Sequence, residues 1–238
     1  MDIREYPRTL ERFVNTYIGI FLADGSKERL INEIRSLGHI LKRRDNWRFF
    51  IPFEKPITFK KNDCKLQVDF SCEIEGVGND FKKHNIQLRI WCFDESICYR
   101  EELDHPKIKE DLENCGWKRV ILRFHFDLKA EGAQIEPLYH LHVGGKNRMD
   151  DEFCWFPEDI DIPRFPYLPT DIILLSEFVL MNFFQTDYKE IRKKPEWIKS
   201  VKKSQEFFQK SYFENCLRHL NDENETLMGN LVSPNGRL

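Results

Sequence analysis

A chain of 238 residues, 41% hydrophobic and 32% charged, can bury a sizeable core without a disulfide or metal staple and carries no signature of global disorder. Its formal net charge of −3 excludes a global basic field for holding nucleic acid, though not a local patch. Seven cysteines, an odd number with no CxxC pair, argue against a zinc knuckle and against a regular disulfide framework.

In chain order, residues 8–22 and 27–41 read as two helices. Gly25 suits the turn between them and Ser26 the N-cap. Leu30, Ile34, Leu37 and Leu41 give the second helix one apolar stripe. Residues 45–61, with Pro52 and Pro56, read as an extended connection. From 65 to 75, Leu66, Val68, Phe70, Cys72 and Ile74 alternate with polar residues, which predicts a strand with one wet face, closed by Gly76-Val77-Gly78-Asn79. A second strand follows at 86–93 and a helix at 106–114 that begins with Pro106. Strands at about 117–128 and 137–143 come next. Thr170 is expected to cap a helix at 171–185, and Pro195 opens a long helix that runs to about 220.

The order predicts an α+β fold. A mostly antiparallel sheet of about four strands packs against N- and C-terminal helices, with the apolar 171–185 helix as central support. The expected organisation is one domain over 1–220, with N-terminal helices at 8–41, the sheet region at 62–145 and C-terminal helices at 170–220. The polar segment 221–238 reads as a flexible tail. Cys64, Cys72 and Cys92 fall at alternating strand positions, where a thiol acts as a small core residue. The first residues are charged, and the run Ile172 to Phe184 is too short and too interrupted to span a bilayer. The expectation is a cytoplasmic protein with reduced cysteines and no membrane partner.

The densest chemistry lies in Arg123-Phe124-His125-Phe126-Asp127 and in Tyr139-His140-Leu141-His142-Val143-Gly144-Gly145. Strand alternation puts Arg123, His125 and Asp127 on one face, and His140 and His142 on one face of the second segment. Matching the core residues of a hairpin leaves two registers. One pairs His125 with His140 and Arg123 with His142. The other pairs His125 with His142 and Asp127 with His140. Either gathers the five polar residues, because paired Cβ atoms lie about 5 Å apart. Lys146, Arg148 and Arg164 follow and supply positive charge for substrate binding.

Three readings fit this pattern. A half-exposed sheet carries polar residues on its wet face without any function. Alternatively, His125, His140 and His142, with Asp127, bind one transition-metal ion such as zinc, iron or manganese. Or the histidines act without metal as acid and base on a phosphodiester, with arginine or lysine holding the phosphate. The partners expected are RNA or another nucleic acid, or a protein partner in a non-enzymatic role.

His140-Leu141-His142 is similar to the cupin metal motif, but Val143-Gly144-Gly145-Lys146-Asn147 lacks the glutamate that the family places after the second histidine. Arg123, His125 and Asp127 on one strand, then His140 and His142 on the next, resemble uncharacterised bacterial proteins of mobile-element, toxin–antitoxin or phage-defence loci. That resemblance covers about a tenth of the chain and implies a cytosolic prokaryotic protein acting on RNA.

Other features point to bland roles. Asp69, Glu73 and Glu75 share a strand face but lack the Glu-x-Lys spacing of a metal-dependent nuclease core. Lys42-Arg43-Arg44 with Trp47, Arg48, Phe49 and Phe50 mixes cations and aromatics as single-strand grooves do, yet a solvated helix end leading into core aromatics explains it as well. The basic run from Lys189 to Lys203 reads as a solvated helix face that is able to meet phosphates. Phosphate-cradling P-loops, Rossmann glycines and a Gly-x-Ser-x-Gly elbow are missing, which disfavours ATP hydrolysis, dinucleotide redox chemistry and α/β-hydrolase chemistry.

Overall fold

A computed structural model describes residues 2–60, 66–93, 106–114, 118–128, 139–143, 165–166 and 171–221. The chain begins with a 3-10 turn, Ile3–Glu5, then α1, Tyr6–Phe13, which continues as a π turn, Val14–Ile18. Next is α2, Ser26–Leu41. The strands are β1, Asn46–Ile51; β2, Ile57–Lys60; β3, Leu66–Val77; and β4, Asp80–Phe93. After α3, Pro106–Asn114, come β5, Lys118–Leu128; β6, Tyr139–Val143; and the two-residue β7, Phe165–Pro166. Four helices close the described chain: α4, Ile172–Phe183; α5, Gln185–Ile191; α6, Pro195–Phe208; and α7, Lys210–Leu220.

The fold is α+β, as expected. Among the described residues all sheet pairings are antiparallel, in the order β1-β3-β4-β5-β6-β7, with β2 also on β3. β1 and β2 lie end to end along the same edge of β3, against Cys72–Val77 and Gln67–Phe70 respectively. They amount to one edge strand interrupted at Pro52 and Pro56, residues that cannot donate to a ladder. β3 turns into β4 through Gly78-Asn79. Gly78 takes φ 56°, the left-handed conformation that tight hairpin loops demand.

One sheet face is apolar. Phe49, Ile51, Phe59, Val68, Phe70, Ile74, Ile86, Leu88 and Phe126 are buried there in a core cluster that also takes in α1, α2, α4 and α6. α2 contributes Leu30, Ile34, Leu37 and Leu41, the stripe read from the sequence. From α4, Phe178 sets its ring edge-on to Phe124 and Phe126, with centroids 5.7 and 6.1 Å away. That contact seats α4 beneath β5, in keeping with its expected supporting role. α1 and α6 pack through Phe13 on Trp197 at 4.8 Å and Tyr6 on Phe208 at 5.4 Å.

Several local expectations are corrected. The connection 45–61 holds β1 and β2. Gly25, in a left-handed conformation at φ 74°, precedes α2, and Ser26 is its first residue; the Ser26 hydroxyl instead accepts from the Thr58 amide at 3.2 Å. Asp171, rather than Thr170, caps α4 by accepting from the Leu174 amide at 2.8 Å. The long helix expected over 195–220 is interrupted at Gln209, and α5 precedes it. Cys72 is a buried free thiol. The segment 222–238 lies outside the described residues. Among the described residues no helix is long and apolar enough to cross a membrane.

Asp171 is fully buried. Burial pushes its carboxyl above the ordinary aspartate range, against the opposing pull of the Ser204 hydroxyl, the Leu174 amide and the Tyr6 hydroxyl. Those hydroxyls stand near enough to favour the carboxylate, yet neither closes a full hydrogen bond on it. A raised folded-state value means that the native state holds this proton more tightly than the unfolded chain does. The contribution is therefore complete at low pH and is lost as pH rises through the raised value. Asp171→Asn keeps a capping side chain and removes the buried charge. Thermal melts from about pH 4 to about pH 7 should show the variant gaining on the wild type as pH rises. A gap independent of pH contradicts this.

Candidate functional site

The opposite face of the sheet is polar, and the strand registers arrange it in rows. In the first row, Thr58 of β2 pairs with Asp69 of β3, Asp69 with Arg89 of β4, and Arg89 with Arg123 of β5. The second runs Ser71, Gln87, His125, His142 across β3 to β6. The third runs Phe50, Glu73, Asn85, Asp127, His140 from β1 to β6, with Pro166 of β7 beyond. Of the two hairpin registers that the sequence leaves open, the chain adopts the one that pairs His125 with His142 and Asp127 with His140.

Around Asp69 and Arg89 this face is not the wet surface that alternation alone implies. Asp69, Arg89 and Ser71 are only 2%, 5% and 6% exposed, and Trp91 beside them is also buried. The cause lies partly in the break between β1 and β2. Phe53 sits in that break, and the Arg89 guanidinium stacks over its ring at 4.0 Å. Arg89 Nη2 donates to the Phe53 carbonyl at 3.2 Å, and the Trp91 ring flanks the same guanidinium at 5.3 Å. Asp69 accepts from Thr58 Oγ1 and Gln67 Nε2, each at 2.8 Å. Arg29 of α2 donates to the Pro56 carbonyl, which ties the far end of the break to the helical layer. The interruption therefore folds over the polar face and closes one end of it.

Arg123 and His125 are half-buried on β5, between this covered end and the β6 pairing. Asp127, His140 and His142 are placed by backbone register, which groups all five predicted residues at adjoining positions. Lys146, Arg148 and Arg164 lie outside the described residues. Among the described residues no group of three or more histidine, cysteine, aspartate or glutamate side chains forms a metal-binding cluster. The trio His125, His140 and His142 extends beyond the described side chains.

The acidic run on β3 has structural work. Glu73 pairs with Arg48 and Lys83, and Glu75 with Arg48. Hydrogen bonding to Lys83, then to Arg48, holds the Glu73 carboxyl below its ordinary range against its own desolvation. The aromatic–basic run at 42–50 also resolves. Trp47 and Phe49 are core residues, and Trp47 Nε1 donates to the Gly78 carbonyl at 2.8 Å, whereas the exposed Phe50 ring carries the Arg48 guanidinium at 4.4 Å.

Sequence reasoning missed Arg89, Asp69, Ser71 and Gln87 as neighbours of the histidines. The parity signal was present, since all four fall on the polar phase of clean strands. No family model, curated protein or solved structure matches this chain.

Lysine cannot reproduce the stacked, forked geometry of Arg89. Arg89→Lys should cost about 1–3 kcal/mol of stability and loosen the 52–56 segment. Limited digestion with a glutamate-specific protease should then cut faster after exposed Glu54. Unchanged cleavage contradicts the anchoring role.

Proposed function

We propose that this chain is a cytoplasmic phosphodiesterase acting on RNA, in a prokaryotic mobile-element, toxin–antitoxin or phage-defence setting. The reading is supported by the register, which sets an arginine pair, Arg89 and Arg123, one row from the imidazole pair His125 and His142. Partial closure of that face supports it further, because phosphate charge is stabilised better by cations shielded from water. In this reading one histidine takes the proton from a ribose 2′-hydroxyl. The 2′-oxygen bonds to phosphorus, the P–O5′ bond breaks, and a second histidine protonates the leaving 5′-oxygen. The products are a 2′,3′-cyclic phosphate and a 5′-hydroxyl. Arg123 neutralises charge on the phosphoryl oxygens, and Asp127 orients an imidazole. Lys146, Arg148 and Arg164 are the proposed contacts to the flanking phosphates.

His140→Ala and His142→Ala should each lower cleavage of a single-stranded RNA by at least about 100-fold with circular dichroism unchanged. A 2′-deoxy substitution at the scissile position should abolish it. Full activity in both variants contradicts the site. If cleavage is lost in chelator and a stoichiometric transition metal is bound, the three histidines are ligands instead.

A second reading, a non-enzymatic interaction subunit, draws on α7, where Phe213, Leu217 and Leu220 leave large apolar side chains exposed. It predicts that the histidine variants behave as wild type in every assay.

A further inference from the structure

The chain carries net negative charge, yet one groove concentrates the opposite sign. It lies between the first helical segment and α6, has a volume of about 490 Å³, and is lined by five cations against two carboxylates. Arg4, Arg8 and Arg12 follow one another at four-residue spacing along one wall, and Lys199 and Lys203 repeat the spacing on the other. Arg4 pairs with Asp45, and Arg12 reaches across the groove to Glu196. Arg8, Lys199 and Lys203 make no ion pair among the described residues, and Glu5 is the one unpaired carboxylate beside them, so the lining keeps a surplus of positive charge.

The walls are held at a fixed separation. Phe13 on Trp197 and Tyr6 on Phe208 lock α1 to α6 directly beneath the cations. The charges therefore stand at set positions on a packed ridge, unlike those of a free solvated helix.

We infer that this groove binds the phosphate backbone of a single-stranded nucleic acid. Four helical residues advance about 6 Å, close to the separation of successive phosphates along a strand. Arginines that fork onto phosphate oxygens suit this ligand. Among the described residues the lining has no aliphatic or aromatic side chain: beside the charged residues it offers Thr9 and Ser200. A lipid surface or a peptide would call for apolar anchors, and base-specific recognition would call for stacking rings. The groove thus reads charge and spacing without sequence. It is built from residues unconnected with the histidine site, and its test is separate from that of cleavage.

The test uses the full chain and fluorescently labelled 2′-O-methyluridine and thymidine 12-mers, which lack the 2′-hydroxyl, followed by anisotropy across a salt series. Three phosphate contacts in the groove contribute about −2 to the slope of log affinity against log salt. Combined Arg8→Gln, Lys199→Gln and Lys203→Gln should weaken binding at least ten-fold and remove most of that contribution. The single Arg8→Gln should remove about a third of it. Neutralising Lys42, Arg43 and Arg44 instead should change nothing, and His140→Ala should leave binding intact whatever it does to cleavage. The inference is overturned if the wild type fails to bind at low salt, if the triple variant binds as tightly as wild type, or if the 42–44 variant accounts for the loss. Equal binding of polyglutamate or of anionic vesicles overturns it as well.

Discussion

The polar half of this molecule depends on one guanidinium. Arg89 projects from the middle of β4 onto the face away from the helical core. A single cation there would ordinarily reach water. Instead it lies against the ring and carbonyl of Phe53, with Trp91 at its side. The contact is possible because two prolines break the edge strand and release Phe53 from the ladder. A buried cation between aromatic faces is a strong contact where an exposed one is weak. It converts an edge-strand interruption into a cover over Arg89, at the start of the arginine row.

Everything proposed for the site follows from that cover together with strand register. Antiparallel pairing fixes which residues share a row, and the rows place Arg123 and His125 between the covered end and the histidines of β6. The apolar face does the complementary job. Phe124 and Phe126 alternate with the functional residues of β5 and are gripped from below by Phe178. Between Arg123 and Phe126 the strand is thus anchored by Phe124 and Phe126 and carries Arg123 and His125 on the other face.

Much of this was readable from local pattern. The alternation of β3, β4 and β5 gave their faces, and parity narrowed the β5–β6 hairpin to two registers, one of which is present. The apolar density of α4 marked it as the support. Other features depend on distant contacts that alternation does not encode. Trp47, Phe49 and Ile51 alternate as a strand should, but Pro52 and Pro56 disguised the segment as a connection. The burial of Arg89 involves Phe53 packed on its guanidinium. Val120 fits the core phase of β5 by counting, yet the bulge at Ile90 and Trp91 sets it opposite Trp91, out of step with Leu122 and Phe124. The interruption at Gln209 has no glycine or proline to announce it. The basic groove was half legible: the lysines of α6 stood out in sequence, whereas their apposition to Arg4, Arg8 and Arg12 is purely tertiary.

The closed end of the polar face stands on the coupling between Arg89 and Phe53. A double-mutant cycle with Arg89→Met and Phe53→Ala, read by denaturant unfolding, isolates it. The cycle reads the ring contact alone, since the Phe53 carbonyl survives in Phe53→Ala, and a shielded cation–π contact predicts a coupling of about 1–2 kcal/mol. Additive effects, within about 0.3 kcal/mol, would mean that Phe53 does not hold the cover, and the polar face would revert to an ordinary solvated surface.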